Sequence, residues 1–146
     1  ENATVLDLYA GTGALGLESA SRGAKQVVMV ENHKQALGGI IQNMRMVKAA
    51  IEKEGLSVDL RAEGKSVLSY LQSSSLVFDL VFIDPPYDVS NSSITQVLTE
   101  LVPRLTKDAT VILERSSRDE KPELPEQLTI SEEKNYGDTV VYWLAD

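Results

Sequence analysis

Short runs of hydrophobic residues alternate along the chain with longer stretches whose hydrophobic residues recur at helical spacing. The runs predict buried strands over 5–9, 27–30, 57–61, 77–83 and 109–114. The longer stretches predict helices over 14–21, 34–52, 66–72 and 94–105. Five βα-type units in succession indicate an α/β fold with an open, mostly parallel, doubly wound sheet.

The end of the chain departs from this alternation. Two prolines between 121 and 126 indicate a loop, and strands are predicted over 128–130 and 139–144. The linker of residues 135–138 is too short for a crossover between parallel strands, so this last pair is predicted to be an antiparallel hairpin. Seven strands are thus expected in one domain spanning residues 1–146.

Composition excludes several kinds of site. The chain has 146 residues, no cysteine and a single histidine, so a disulfide scaffold, a thiolate zinc site and an all-histidine metal site are excluded, and no metal is predicted. No apolar run approaches the roughly 18 residues of a membrane span, and no signal peptide opens the chain. A cytoplasmic location without membrane contact is therefore expected.

The net charge of −8 is unusual for a protein that binds nucleic acid, because such proteins neutralise phosphates with basic side chains. Basic residues between 22 and 48 form either a local basic patch or an ordinary solvated helix face. The chain begins at Glu1, without an initiator methionine, and a strand follows almost at once. We therefore expect that an N-terminal segment is missing.

A glycine-rich motif follows the first strand and opens the first helix. Residues 11–16, GTGALG, match G-x-G-x-x-G, in which glycines allow a tight turn and close approach of a ligand to the backbone. Glu31 ends the second strand 20 residues after Gly11, where its carboxylate can accept from both hydroxyls of a ribose. Nicotinamide-dinucleotide enzymes and S-adenosylmethionine (SAM) enzymes share this arrangement.

Asp7 is a carboxylate within the apolar first strand, and its burial costs several kcal/mol unless it is paired. Either a ligand ammonium or the amides of the glycine loop can pair it. SAM carries an ammonium and no pyrophosphate, so an acidic strand end suits SAM better than a dinucleotide.

The sequence Asp84-Pro85-Pro86-Tyr87 stands at the carboxyl end of the fourth strand, where open α/β sheets bind ligands. Two prolines provide no backbone N–H, so the loop offers carbonyl oxygens and the Asp84 carboxylate as acceptors. Acceptors of this kind suit a substrate amino group, and Tyr87 adds a flat face on which a planar base can stack. Glu114, after the fifth hydrophobic run, either reaches the substrate or is a solvated strand end.

The blocks 7–18 (DLYAGTGALGLE), 21–24 (SRGA), 84–87 (DPPY) and 134–139 (KNYGDT) resemble the bacterial 16S ribosomal RNA guanine-N2 methyltransferases. The resemblance implies a Rossmann-like class I SAM-dependent fold whose seventh strand inserts antiparallel between the fifth and sixth. It also implies methyl transfer to guanine N2, with 16S ribosomal RNA or the small ribosomal subunit as partner. A monomer is expected.

The resemblance extends to individual residues. It implies catalytic roles for Asp84, Pro85 and Tyr87, and contacts of Pro86 and Tyr87 with the substrate base. The cofactor-binding residues that it implies are Asp7, Ala10, Gly11, Gly13, Leu15, Glu31, Asn32, Ser66, Val67 and Asp84. One departure is Ser66, which stands where the family usually has Asp or Asn to reach the adenine amine, so weaker cofactor binding is expected.

Alternative functions follow from the same motifs. The chemistry fits adenine N6 or a glutamine amide as methyl acceptor, although proteins with those substrates more often have Asn where this chain has Asp84. A nicotinamide-dependent oxidoreductase shares the glycine motif but leaves the Asp-Pro-Pro-Tyr loop unexplained. A binding module that keeps only the fold is a third alternative.

Overall fold

A computed structural model describes residues 2–146 as one seven-stranded sheet with helices on both faces. The strands are β1 Thr4–Leu8, β2 Gln26–Val30, β3 Asp59–Glu63, β4 Phe78–Ile83, β5 Leu105–Ser116, β6 Thr129–Tyr136 and β7 Thr139–Ala145. The helices are α1 Ala14–Ser21, α2 Lys34–Lys53, α3 Val67–Ser73 and α4 Asn91–Leu101, with a 3₁₀ turn at Val102–Arg104. No helix within the described residues is long and apolar enough to cross a membrane.

The strand order is β3-β2-β1-β4-β5-β7-β6. The five strands from β3 to β5 are parallel, and β7 pairs antiparallel with both β5 and β6. This order confirms the predicted doubly wound sheet, the terminal hairpin and the insertion of the seventh strand between the fifth and the sixth.

One row of buried residues fixes the edge of the sheet at which ligands bind. Leu8 pairs with Val30 and with Ile83, and Ile83 pairs with Leu113. All four are almost completely inaccessible to solvent, and each such burial contributes about 1.5–3 kcal/mol. The next residue on each strand therefore leaves the core at the same edge: these are Tyr9, Glu31, Asp84 and Glu114.

Two buried clusters pack on opposite faces of the sheet. One joins β1, β2, β4, β5 and β7 to α3 and α4 through residues such as Leu71, Ile94 and Leu98. The other joins β1 and β2 to α1 and α2 through residues such as Leu17 and Ile40. The helices thereby hold the carboxyl ends of the central strands in fixed positions.

Four sequence predictions need correction. The third strand lies at Asp59–Glu63 rather than 57–61, and the fourth helix is Asn91–Leu101 because Ser90 caps its first turn. Leu105, predicted to be helical, starts β5 after the 3₁₀ turn at Pro103. β6 runs from Thr129 through Tyr136, rather than ending at residue 130, although all its side chains are exposed.

Candidate active site

The carboxyl ends of the parallel strands border a cavity of about 1240 Å³. Every residue that the sequence assigned to cofactor, catalysis or substrate lines this cavity, with the exception of Gly13. The glycine loop and α1, the end of β2 and the start of α3 form one end of it. The Asp84 loop, α4 and the end of β5 form the other end. The two ends are called the cofactor end and the target end below.

The glycine loop is a tight turn that the backbone itself holds. Gly11 has φ +58° and Gly13 has φ +79°, and residues with a side chain rarely adopt these left-handed conformations. A Cβ on Gly13 would lie 3.2 Å from Met29 Sδ and 3.3 Å from Ile40 Cγ1. Gly13 is buried and packs α1 against β2 and α2, which explains its absence from the cavity wall.

Glu31 joins the glycine loop to the start of α2. Its Oε1 accepts from the backbone N–H of Gly11 at 2.8 Å, and its Oε2 accepts from the N–H of His33 at 3.0 Å. A carboxylate has about four acceptor positions, so both oxygens retain capacity for a further donor. Ala10, which donates to Val30 O at 3.0 Å, completes the connection between the ends of β1 and β2.

Asp7 is 2% exposed and accepts one hydrogen bond, from the backbone N–H of Gly16 at 3.0 Å. Desolvation raises the pKa of this carboxyl from 3.8 to about 7, and the charges of Asp84 and Glu31 act in the same direction, against the hydrogen bond from Gly16. A cation in the cavity would stabilise the ionised carboxylate at neutral pH.

Ser66 is the N-cap of α3, since its Oγ accepts from the backbone N–H of Ser69 at 3.2 Å. The neighbouring Val67 is buried, with 8% of its surface exposed, while Ser66 itself is exposed at the cavity. The hydroxyl proton of Ser66 remains available for donation. Leu15 in α1, 40% exposed, and Asn32 after β2 complete the predicted cofactor wall.

The Asp84 loop carries the predicted catalytic side chains away from the core. Burial raises the pKa of Asp84, although this side chain remains accessible to solvent. The loop turns at Pro86, whose carbonyl accepts from Val89 N–H at 3.1 Å. Tyr87 is 89% exposed, so its ring is free to contact a ligand.

Arg115 is a residue of this site that sequence analysis missed. Its side chain is only 5% exposed, and its terminal Nη2 donates to Val89 O at 3.1 Å and to Asn91 Oδ1 at 2.8 Å. Asp119 Oδ2 lies 3.7 Å from the same nitrogen. Arg115 thus ties β5 to the exit of the Asp84 loop.

A signal for Arg115 was present in the sequence. Val111, Leu113 and Arg115 alternate along β5, and this period of two places the arginine on the buried face of the sheet. Glu114, which the sequence left undecided, lines the cavity together with Asp84.

Carboxylates dominate the electrostatics of the cavity, where Asp7, Glu31, Asp84 and Glu114 all lie in its wall. The pKa values of Asp7, Asp84 and Glu114 are raised, and desolvation is the largest cause for each. A cationic ligand relieves such desolvated negative charge, whereas a pyrophosphate would add to it.

Comparisons with known proteins give a consistent result. A family model described as "Conserved hypothetical protein 95" matches residues 1–145. Ribosomal RNA small subunit methyltransferase D of Escherichia coli K12 is 28% identical over 136 residues, which cover 93% of this chain and 65% of that protein. The chain thus spans somewhat less than two thirds of that relative.

Solved structures share the fold. A conserved hypothetical protein from Streptococcus pyogenes superposes with a TM-score of 0.84 at 30% identity, over 99% of this chain and 86% of that chain. An S-adenosylmethionine-dependent methyltransferase from Clostridium acetobutylicum gives a TM-score of 0.69 at 14% identity, over 97% and 83% of the two chains. At that identity the second likeness concerns the fold alone.

Proposed function

The chain belongs to the family described as "Conserved hypothetical protein 95", and on that premise we propose that it transfers a methyl group from SAM to N2 of a guanine in 16S ribosomal RNA. The observation that carries the proposal is one carboxylate-lined cavity in which a glycine loop faces an Asp-Pro-Pro-Tyr loop. The E. coli relative named as a small-subunit ribosomal RNA methyltransferase supports the substrate class.

The cofactor end fits SAM by charge. Asp7, which is buried and only about half ionised at pH 7 without a ligand, would ionise fully beside the ligand's positive groups. Glu31 has acceptor capacity for the ribose hydroxyls, and Ser66 has a hydroxyl proton for a ring nitrogen of adenine. A carboxylate at this position would accept from the adenine amine, and it would bind more strongly than a neutral hydroxyl, because hydrogen bonds to charged groups are the stronger ones.

Bound SAM would supply an electrophilic methyl group for a single in-line displacement. At the target end, Asp84 and the carbonyl of Pro85 accept from the two hydrogens of the guanine amine and keep its lone pair directed at that methyl. Asp84 or water then takes the proton that the methylated nitrogen loses. Proximity and orientation supply most of the acceleration.

The target base must leave its stack to enter the cavity. Tyr87, with 89% of its surface exposed beside Asp84, replaces the lost stacking partners. Residues 1–146 act as one methyltransferase domain, a monomer, in the cytoplasm where the small ribosomal subunit is found.

Two measurements test this function. Isothermal calorimetry with SAM and with NAD should show binding of SAM alone. Incubation with methyl-labelled SAM should label 16S RNA or small subunits, and mass spectrometry of the digested RNA should identify N2-methylguanosine. Methylation of adenine N6, or of protein instead of RNA, would refute the proposed acceptor.

A further inference from the structure

The target end contains a second carboxylate that the proposed chemistry does not use. Glu114 follows Leu113 on β5 as Asp84 follows Ile83 on β4, and Ile83 and Leu113 are paired in register. Both carboxylates line the cavity, so they lie side by side on strands about 4.8 Å apart. Burial raises the pKa of Glu114, and the charge of Asp84 raises it further.

These two carboxylates differ from those at the cofactor end because they have no internal donor. Asp7 and Glu31 accept hydrogen bonds from backbone N–H groups. Within residues 2–146 no hydrogen bond reaches the side chain of Asp84 or of Glu114. Two neighbouring acceptors at the target end are therefore available to a ligand.

Arg115 lies next to this pair but on the other face of β5, which it shares with Val111 and Leu113. Its side chain is 95% buried, and within the described residues its Nε–H has neither a hydrogen-bond partner nor contact with solvent. A ligand in the cavity therefore does not reach this donor. The recognition surface at the target end consists of the two free carboxylates.

This combination matches one nucleobase edge. The Watson–Crick edge of guanine presents N2–H and N1–H as neighbouring donors, followed by the O6 acceptor. Adenine presents a donor at N6 beside an acceptor at N1, which a second carboxylate would repel. The site therefore offers guanine two adjacent acceptors for N2–H and N1–H, as cytosine does in a base pair.

We propose that Glu114 is the residue that selects guanine, by accepting a hydrogen bond from N1–H while Asp84 accepts from the N2 amine. The inference rests on the proposed guanine methylation. Glu114 then contributes to the choice of base, whereas Asp84 and Pro85 position the reacting nitrogen.

A base analogue tests the proposal. 2-Aminopurine keeps the N2 amine but has an acceptor at N1, so it loses the contact with Glu114. The guanine found to be methylated is replaced by 2-aminopurine in otherwise identical RNA, and kcat/KM is measured on both RNAs with the wild-type protein and with Glu114→Gln. The Gln amide accepts from guanine N1–H and also donates to N1 of 2-aminopurine. The ratio of kcat/KM for guanine over 2-aminopurine should fall at least about tenfold in the variant.

Intrinsic reactivity of the two amines cancels when the ratios of the two proteins are compared. Asp108→Asn removes an exposed carboxylate from the other end of β5 and should leave the ratio unchanged. Calorimetry should show unchanged SAM affinity in both variants. Should Glu114→Gln lose SAM binding, Glu114→Asp provides the test, because its shortened carboxylate retreats from N1–H and lowers the same ratio.

The outcomes separate this inference from the proposed function. Guanine methylation by the wild type with an equal ratio in the Glu114 variant would overturn the role of Glu114 alone. Absence of guanine methylation by the wild type would overturn the proposed function and this inference with it.

Discussion

The two ends of the cavity use carboxylates in opposite ways. At the cofactor end, Asp7 and Glu31 accept from the backbone N–H groups of Gly16, Gly11 and His33, at 2.8–3.0 Å. At the target end, no donor within residues 2–146 reaches the carboxylates of Asp84 and Glu114. The first pair is hydrogen-bonded to the backbone, and the second pair is available to a ligand.

The difference follows from what each end must recognise. In the glycine loop, Glu31 accepts from the N–H of Gly11, which would otherwise lack an internal partner, and this bond is in place before any ligand arrives. The Asp84 loop contains two prolines without N–H groups, so its own backbone offers few donors to the Asp84 carboxylate. A preorganised cofactor end and an open target end suit an enzyme that uses one cofactor and a base that must be drawn in.

The largest effect is expected at the target end, for Asp84→Ala. Loss of the acceptor for the target amine should lower the methyl-transfer rate by about 10²–10⁴-fold, the usual range for a positioned proton acceptor. SAM affinity should fall much less, because most of the cofactor contacts lie at the other end. Single-turnover transfer of labelled methyl groups and calorimetry with SAM measure the two quantities.

Asp88→Ala, an exposed carboxylate in the same loop, is the matched control and should retain activity. Normal turnover in Asp84→Ala would remove the proposed chemistry. An equal loss of SAM affinity and of methyl-transfer rate would instead show that Asp84 acts mainly in binding the cofactor.

At the cofactor end, the pH dependence of stability should identify Asp7. Its carboxyl has a pKa of about 7 in the folded protein against 3.8 as the reference value, so the folded state binds the proton more strongly. Between these pH values the unfolded state has lost a proton that the folded state keeps. Stability is therefore lost as pH rises from about 4 to about 7, by up to roughly 4 kcal/mol.

Asp7→Asn keeps an oxygen for the Gly16 N–H and removes the titration. Urea denaturation without SAM, at pH 4 to 8, should show the free energy of unfolding of this variant falling less than that of the wild type. Asp108→Asn should reproduce the wild-type profile. Parallel profiles for Asp7→Asn and the wild type would show that Asp7 ionises in the folded protein as it does in water.

Hydrophobic patterning predicted the elements that carry the site, because buried strands that end at polar residues mark the carboxyl edge of the sheet. Asp84 and Glu31 were found in this way, and the structure places both at the cavity. β6 was underestimated because all eight of its side chains are exposed, so no alternation marks it. Only its pairing with β7 shows that it is a strand.

Hydrogen bonding between distant segments was outside the reach of sequence patterns. The bonds from Gly11 to Glu31 and from Arg115 to Asn91 join residues more than a dozen positions apart. Gly13 was assigned to the cofactor from its motif, while the structure shows a packing constraint that the motif does not encode. Its contact with cofactor stays a prediction.

A smaller effect is expected for Glu31→Ala. The substitution removes the ribose acceptor and the link to the Gly11 and His33 amides, so SAM binding should weaken by about 1.5–3 kcal/mol. Glu63→Ala is the matched control, since Glu63 ends the neighbouring strand β3 outside the cavity wall. Calorimetric affinities equal to wild type in Glu31→Ala would exclude the ribose role.

The smallest effect is expected for Ser66→Asp, which gives this chain one of the residues that the family usually has at this position. Asp caps a helix as well as Ser does, so the bond to Ser69 N–H should survive while the adenine amine gains a charged acceptor. SAM affinity should rise by about 1 kcal/mol, the worth of one added hydrogen bond.

Ser90→Asp is the control for this prediction. Ser90 caps α4 in the same way, because it accepts from Ser93 N–H at 3.2 Å, but it does not line the cavity. If both variants gain thermal stability and only Ser66→Asp binds SAM more tightly, residue 66 contacts the adenine. If neither changes SAM affinity, Ser66 serves only as the cap of α3, and the cofactor end relies on Asp7, Glu31 and the glycine loop.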